Sequence, residues 1–335
     1  MTTSISAETL RLVAATAAQR KVARTLAMEP GGPPTLRARI ANQVIRAVLM
    51  TAWRCTPDSE AGMTRMQRAT DLLGRLLAVP RGVSISPQDL GACTAEWVRA
   101  GTPDERRVIL YLHGGAYFFG SPRLYRPFTW RLSAATGRPV LALDYRLAPR
   151  HTPGDALDDA LTAYRFLLGS GYRAQDVVVG GDSAGGHLTL ALLLALKEHG
   201  TSLPAAAVCL SPWVDLYCEA DSHRLNRRTD CLLPADKLAW LGRLYCQEKE
   251  DDDPLFSPLR GDLSGLPPLM VMASGSEILR DDARDLAARA RAAGVHAVHQ
   301  EWDGMTHVFP VFAEFIPEGK AAFRHVAEFL RAVEA

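Results

Sequence analysis

The sequence predicts an α/β fold in which helices flank a mainly parallel central sheet. Short apolar runs alternate with helical patterns from residue 108 to residue 333. The runs are almost continuously apolar, which is typical of parallel strands buried on both faces. Chemically informative motifs directly follow several runs, at the sheet edge where such folds carry their sites. The predicted strands are residues 108–112, 140–144, 177–180, 206–210, 269–273 and 296–302, and the predicted helices are residues 125–136, 155–168, 184–198, 281–293 and 318–333.

Other parts of the chain lie outside this alternation. Residues 6–78 show helical spacing of apolar side chains and predict three helices, at residues 7–26, 35–54 and 60–77. Two weaker candidates, residues 83–85 and 95–98, are expected to add antiparallel edge strands. Residues 212–255 form a charged insertion, and the acidic run at its end is predicted to be a solvated loop.

The sequence Gly-Gly-Asp-Ser-Ala-Gly-Gly at residues 180–186 lies between a β-branched run and a leucine-rich helical run. A serine on such a sharp strand-to-helix turn needs glycines two residues away on both sides, because the helix packs close to the strand. The turn presents the hydroxyl beside a helix N-terminus, which favours developing negative charge. This context predicts that Ser183 is a nucleophile.

A predicted strand at residues 108–112 ends in His-Gly-Gly-Ala at residues 113–116. The two glycines allow a bound carbonyl group to approach the main chain. We predict that the amides of Gly114, Gly115 and Ala184 form an oxyanion hole, with His113 shaping the loop. An ordinary glycine turn after a strand is the alternative.

A nucleophilic serine needs a general base, and the chain has nine histidines. His307 follows the predicted strand at residues 296–302 on a loop before the last helix, which makes it the candidate base. The remaining histidines lie within predicted strands or helices, or lack this strand-loop context. His296 and His299 are three residues apart on a strand, so they face opposite ways and do not indicate a metal site.

The acid that orients the histidine is expected on the loop after the strand at residues 269–273. Glu277 is the first carboxylate there and can hold the imidazole Nδ1–H as an aspartate does. Asp281 and Asp282 are the alternatives, although carboxylates at a helix N-terminus usually complement the helix dipole. Asp303 is near His307 in sequence only.

Together, these motifs resemble the hormone-sensitive-lipase-like branch of the α/β-hydrolases, the bacterial family IV esterases. The resemblance covers about residues 80–335 and includes Asp-Tyr-Arg-Leu-Ala-Pro at residues 144–149 and Gly-Met-Thr-His at residues 304–307. It implies the α/β-hydrolase fold with a helical cap, Ser183 as nucleophile and His307 as base. The family's acid loop usually reads Asp-Pro-Leu-x-Asp-Glu, whereas here Glu277 replaces the aspartate and Ile278 the proline.

The resemblance also implies a division of the chain. We expect an N-terminal helical cap region at residues 1–80 and a catalytic domain at residues 81–335, with a cap insertion at about 212–255. A dimer contact or a surface arm is the alternative for the N-terminal helices. Tyr117, Phe118 and Trp213 are candidates for the pocket wall or for core packing.

Composition limits the partners. The formal net charge is +1 in 335 residues, which indicates neither nucleic acid nor an anionic membrane surface as partner. The chain has no run of about 20 apolar residues, no signal-peptide pattern, no phosphate-binding loop and no dinucleotide fingerprint. We therefore expect a cytoplasmic protein without metal or cofactor, with reduced cysteines. A homodimer is the default oligomer.

The predicted function is that of a serine carboxylesterase that cleaves short-to-medium-chain acyl esters through an acyl-enzyme. A natural-product deacetylase or a lactone hydrolase would use the same motifs. A hydrolase fold that serves as a small-molecule receptor without turnover is the alternative from another class. It is disfavoured because Ser183, His307 and an acid are all present.

Overall fold

The computed structural model describes residues 33–246 and 253–334. Eight strands form one sheet: β1 Val83–Asp89, β2 Thr94–Ala100, β3 Val108–Leu112, β4 Val140–Asp144, β5 Val177–Asp182, β6 Ala206–Leu210, β7 Leu269–Ser274 and β8 Ala297–Trp302. Their order is β1-β2-β4-β3-β5-β6-β7-β8; the β1–β2 and β2–β4 pairs are antiparallel, and the other five pairs are parallel. The predicted fold class is confirmed.

The weaker strand candidates form a hairpin at one edge of the sheet. Both strands are seven residues long, so they extend well beyond the predicted ranges. The turn between them is closed by the Leu90 amide, which donates to the Cys93 carbonyl over 3.1 Å, and Gly91 takes φ +86° there. Because most of β1 is exposed, its apolar alternation was weak in the sequence.

Helices pack against both faces of the sheet. Their bounds are α1 Leu36–Arg54, α2 Glu60–Leu76, α3 Pro122–Thr136, α4 Pro153–Gly169, α5 Ala184–Glu198, α6 Asp221–Leu225, α7 Ala235–Cys246, α8 Arg280–Ala292 and α9 Pro317–Val333. Helices α3 and α4 begin two or three residues before their predicted starts. Ser121 and Thr152 cap them, and a proline takes the first helical position of each.

The core lies on both faces of the sheet. Side chains of α3 and α9 pack on one face, where Phe128 and Phe323 meet with ring centroids 4.9 Å apart. Side chains of α4, α5 and α8 pack on the other face. Strands β3, β5, β6 and β7 are buried along their whole length, as their continuous apolar character predicted.

The carboxyl ends of β3, β5, β7 and β8 lead into the four loops that the sequence singled out. The predicted helix at residues 7–26 and most of the acidic run at residues 248–253 lie outside the described residues. Among the described residues, no helix is both long and apolar enough to cross a bilayer.

Candidate active site

Ser183 occupies a strained turn between β5 and α5. Its φ and ψ are +53° and −120°, a conformation that is unfavourable for a residue with a side chain. A Cβ on Gly181 would lie 2.2 Å from the Gly185 carbonyl oxygen, and a Cβ on Gly185 would lie 2.0 Å from the Leu112 carbonyl oxygen. Only glycine fits both positions, so the spacing of the motif follows from the close packing of α5 on the sheet.

Ala184 is the first residue of α5, where a helical amide has no acceptor within its own helix. The Ser183 carbonyl accepts the amides of Gly186 and His187 at 3.0 and 3.1 Å, which fixes the first turn. The Ala184 amide therefore lies next to the serine, at the positive end of the helix dipole.

The loop after β3 has three consecutive residues with positive φ. Gly115, Ala116 and Tyr117 take φ +120°, +49° and +62°. A Cβ on Gly115 would lie 1.9 Å from the Phe119 carbonyl oxygen, so glycine is required there. Within the described part of the chain, the amides of Gly115 and Ala116 donate to no hydrogen-bond acceptor. Strain of this kind is typical of functional loops, and both amides are available to a ligand.

Asp182 anchors this loop and was not assigned a role from the sequence. Its Oδ1 accepts the Tyr111 hydroxyl at 2.7 Å and the Gly114 amide at 3.0 Å, and its Oδ2 accepts the Tyr125 hydroxyl at 2.8 Å. Burial raises the pKa of Asp182 to about 6, against the opposing effect of the tyrosine hydrogen bonds. The carboxylate ties the residue before Ser183 to β3, to the loop after β3 and to α3.

The hydrogen bonds of Gly114 correct one part of the sequence prediction. Its amide donates to Asp182 Oδ1 and also lies 3.1 Å from the Tyr125 hydroxyl oxygen. An amide that already serves a buried carboxylate is not free to stabilise an oxyanion. The predicted donor role of Gly114 therefore disagrees with the structure, whereas the amides of Gly115 and Ala184 remain available.

The rest of the loop after β3 is held by aromatic side chains. The Tyr245 hydroxyl donates to the Ala116 carbonyl over 2.6 Å, and the Tyr117 hydroxyl lies 2.7 Å from His187 Nδ1. Tyr117, Phe118 and Trp213 are almost completely buried, and all three belong to the core cluster on one face of the sheet. Core packing, one of the two roles considered for them, is what the structure has.

His307 and Glu277 form a buried pair. Glu277 Oε2 lies 2.5 Å from His307 Nδ1, and Glu277 Oε1 accepts the amide of Ser274 at 2.8 Å. Glu277 is 0% exposed and His307 is 3% exposed. Of the three candidate acids, Glu277 is the one that meets the histidine. Asp281 pairs with Arg280 and Arg284, and Asp282 pairs with His223.

The segment after β6 connects the serine turn to the histidine loop. The Ser183 amide donates to the Leu210 carbonyl at 2.9 Å, and the Ser183 carbonyl accepts the Trp213 amide at 3.0 Å. Ser211 lies between Leu210 and Trp213 in the chain. Its hydroxyl accepts the amide of Val308, the residue after His307, at 3.1 Å. The same four-residue segment thus fixes the nucleophile candidate and the base candidate relative to each other.

The charges around His307 favour its protonated form. Burial by itself lowers the pKa of His307, but the negative charges of Glu277, Asp230 and Asp182 and the hydrogen bond to Glu277 raise it above the ordinary value. Burial raises the pKa of Glu277, and the neighbouring imidazole opposes that shift. Burial lowers the pKa of His113 to about 4 and that of His187 to about 3, so these two rings stay neutral.

Comparison with known proteins identifies the family. A family model described as the alpha/beta hydrolase fold matches residues 109–311, more than half of the chain. The chain belongs to this family. An acetyl-hydrolase from Streptomyces hygroscopicus is 41% identical over 291 residues, 86% of this chain and 95% of that protein. An esterase from Acinetobacter venetianus is 34% identical over 265 residues, 79% and 87% of the two chains.

Solved structures narrow the assignment within this α/β-hydrolase family. The crystal structure of an esterase from the bacterial hormone-sensitive lipase family superposes with a TM-score of 0.79 at 37% identity, covering 94% of this chain and 99% of that one. The predicted membership in the hormone-sensitive-lipase-like branch is confirmed, as is the assignment of the chain to the carboxylic ester hydrolases.

Proposed function

We propose that this α/β-hydrolase is a serine carboxylesterase that cleaves short-to-medium-chain acyl esters with Ser183, His307 and Glu277. The observation that carries the proposal is the 2.5 Å contact between Glu277 and His307, at the same sheet edge as the strained Ser183 turn. A buried carboxylate on Nδ1 leaves the other imidazole nitrogen to accept a proton. A serine hydroxyl, a histidine base and a carboxylate that orients the histidine, all at one sheet edge, are the groups that nucleophilic acyl transfer uses.

The reaction would proceed in two steps. In the first step, His307 Nε2 takes the proton of Ser183 while Oγ attacks the ester carbonyl carbon. The tetrahedral intermediate collapses as His307 returns the proton to the leaving alcohol, and an acyl-serine remains. In the second step, the same imidazole activates a water molecule that releases the acid and restores the serine. Glu277 holds the imidazole tautomer and stabilises its protonated form.

The oxyanion of the intermediate needs amide donors. We assign this role to Gly115 and Ala184, as the sequence predicted, and to Ala116 in place of Gly114. The support is that the Gly114 amide is occupied by Asp182, whereas the amides of Gly115 and Ala116 are available on a strained loop. Each well-placed donor contributes roughly 3–4 kcal/mol to stabilisation of the transition state.

We propose that α1, α2 and the insertion form a cap over this edge of the sheet. Two contacts support this part of the proposal. Trp53 of α1 packs edge-on against Phe118 and Phe119 of the oxyanion loop, with ring centroids about 6 Å apart. Lys237 of α7 binds Asp58 and the Thr56 carbonyl, which connects the insertion to the turn between α1 and α2.

The test is hydrolysis of p-nitrophenyl acetate, butyrate, octanoate and palmitate by the wild type and by Ser183→Ala. We expect turnover of the shorter esters and a loss of at least about a thousandfold in the variant. Acetate as the best substrate would favour a deacetylase, in line with the acetyl-hydrolase among the relatives. Specific binding of the esters without turnover would overturn the proposal in favour of a receptor.

A further inference from the structure

A short segment of the insertion lies along the loop that carries Glu277. We call residues 222–230 the clasp and residues 275–278 the acid loop. Asn226 Nδ2 donates to the carbonyls of Gly275 and Glu277, and the Thr229 hydroxyl donates to the carbonyl of Ser276. Ile278 is bound twice: its carbonyl accepts the Ser222 hydroxyl, and its amide donates to Asp230 Oδ2. The five distances are 2.5–3.1 Å. Each residue of the acid loop is thus bound by the clasp.

Two of these hydrogen bonds hold a single peptide group. The carbonyl of Glu277 accepts Asn226 Nδ2 at 2.8 Å, and the amide of Ile278, on the other side of the same peptide bond, donates to Asp230 at 2.9 Å. That peptide plane directly follows the carboxylate that contacts His307. Fixing both of its polar ends fixes the direction in which the Glu277 side chain leaves the main chain.

Glutamate has one more side-chain torsion than the aspartate of the family pattern, so more conformational freedom must be removed to hold its carboxylate in place. The amide of Ser274 restrains the side chain at Oε1, over 2.8 Å. The clasp restrains the main chain on which that side chain is mounted. The two restraints act on different parts of the same residue.

The carboxylate of Asp230 does more than close its own turn. Its Oδ1 accepts the amides of Leu232 and Leu233 at 2.8 Å, which is an ordinary local turn interaction. Its Oδ2 is directed to the acid loop. The carboxylate is 1% exposed, and within the described part of the chain no basic side chain forms an ion pair with it. Three main-chain amides thus donate to this buried carboxylate, and one of them belongs to the acid loop and not to the turn.

A side chain of helix α1 in turn holds the clasp. Arg46 of α1 donates to the carbonyls of Arg228 and Asp230, at 2.9 and 3.1 Å. The guanidinium therefore binds the main chain of the clasp rather than its carboxylate. Helix α1, the clasp and the acid loop form a continuous hydrogen-bonded connection that ends at Glu277.

We infer that Asp230 and Asn226 are positioning residues of the proposed ester hydrolysis: they hold the Glu277–Ile278 peptide group so that Glu277 meets His307. The inference rests on the proposed function and deepens it. Neither residue is assigned to touch substrate. Both act through the acid loop, Asn226 through hydrogen bonds alone and Asp230 through a hydrogen bond and its charge.

Because Asp230 carries a charge and Asn226 does not, only the replacement of Asp230 should change the pKa of His307. The acidic groups that face His307 are Glu277 from the acid loop, Asp230 from the clasp and Asp182 from β5, and all three raise its pKa. Removing the Asp230 charge should lower the pKa of His307, so the base becomes available at lower pH. Removing Asn226 changes no charge and should leave this pKa where it is.

The experiment measures kcat, KM and the pH profile of kcat/KM on a short p-nitrophenyl ester for Asp230→Asn, Asn226→Ala and the wild type. We expect kcat to fall about 10- to 100-fold in both variants with KM little changed, because the acid loop loses its fixed position. The acidic limb of the profile should move to lower pH in Asp230→Asn alone. Asp221→Asn, the same change at an exposed carboxylate next to the clasp, is the control and should match the wild type.

Wild-type kcat in both folded variants would overturn the inference. So would a lower kcat in Asp230→Asn with an unmoved acidic limb and an equal loss in Asp221→Asn, since that pattern reports general damage to the insertion. If Asp230→Asn does not fold, Asn226→Ala decides: a lower kcat at unchanged KM supports positioning, and a wild-type kcat contradicts it. An inactive wild type would refute the proposed function instead.

Discussion

Glu277 Oε2 lies 2.5 Å from Nδ1 of His307, and both residues are buried. The contact joins the loops that follow β7 and β8, which are neighbours in the sheet. A hydrogen bond between two buried ionisable groups fixes which imidazole nitrogen carries the proton. The proposed roles of Glu277 and His307 depend on this contact.

Replacement of Glu277 by glutamine should lower kcat by roughly a thousandfold or more while the protein stays folded. The amide keeps the size of the side chain but no longer stabilises protonated His307, and it allows the wrong tautomer. Steady-state kinetics on a short p-nitrophenyl ester checks this expectation.

Asp281→Asn is the matched control, because Asp281 was an alternative acid in the sequence. Its carboxylate pairs with Arg280 and Arg284 instead of His307, so near-normal kcat is expected. A large loss in Asp281→Asn together with normal activity in Glu277→Gln would reverse the assignment.

The pH profile should report His307. Activity requires the neutral imidazole, and the neighbouring carboxylates raise the pKa of His307 despite its burial. A raised pKa moves the acidic limb of kcat/KM upward, to a midpoint above about 6.5, the ordinary value for histidine. In Glu277→Gln the midpoint should fall. Rates that stay flat from mildly acidic to mildly alkaline pH would be incompatible with a histidine base.

Asp182 should be required both for stability and for activity. Asp182→Asn removes the charge that two tyrosine hydroxyls and the Gly114 amide share, and hydrogen bonds to a buried charge are worth about 1.5–3 kcal/mol each. We expect a loss of about 2 kcal/mol or more in the free energy of unfolding, with reduced kcat as the oxyanion loop loosens. Denaturant titration and kinetics measure the two effects.

The control for this variant lies at the other end of β5. Asp176 forms an ion pair with the largely exposed Arg173, so Asp176→Asn should change stability by less than about 1 kcal/mol. Equal losses in the two variants would show that Asp182 has no special place in the site.

Two adjacent glycines should respond in opposite ways to alanine. At Gly181, a Cβ would lie 2.2 Å from the Gly185 carbonyl oxygen and 2.7 Å from that of Leu112, so Gly181→Ala should abolish activity and lower Tm sharply. At Gly180, a Cβ would meet ordinary contacts of 3.4 Å or more beside an apolar void of about 10 Å³. Gly180→Ala should therefore stabilise the strand by roughly 0.5–1 kcal/mol. Equal Tm values would contradict the packing argument for the motif.

The parts of this molecule that could be predicted are those encoded locally. The strand-to-helix turn at Ser183 is readable because its glycines lie at a fixed spacing within one strand-turn-helix unit, although the contacts that require them extend to Leu112 of β3. Buried strands such as Val177–Asp182 are readable because both faces are apolar. The exposed hairpin strand Val83–Asp89 gave only a weak signal, since most of its side chains face solvent.

The parts that were missed depend on contacts between distant segments. Whether the Gly114 amide is free depends on the carboxylate of Asp182, 68 residues later in the chain. The role of Asp230 depends on the amide of Ile278, 48 residues away. No local pattern distinguishes these side chains from other surface or turn carboxylates, so only the folded arrangement identifies them.

Covalent labelling tests directly whether Ser183 is the nucleophile. The wild type and Ser183→Ala are incubated with a p-nitrophenyl alkylphosphonate, which releases nitrophenol when a serine hydroxyl is phosphonylated, and the products are analysed by intact mass and peptide mapping. We expect one adduct per chain, on Ser183, formed faster as the pH rises through the His307 titration, and none in the variant. Labelling of another residue, or equal labelling of Ser183→Ala, would contradict this expectation.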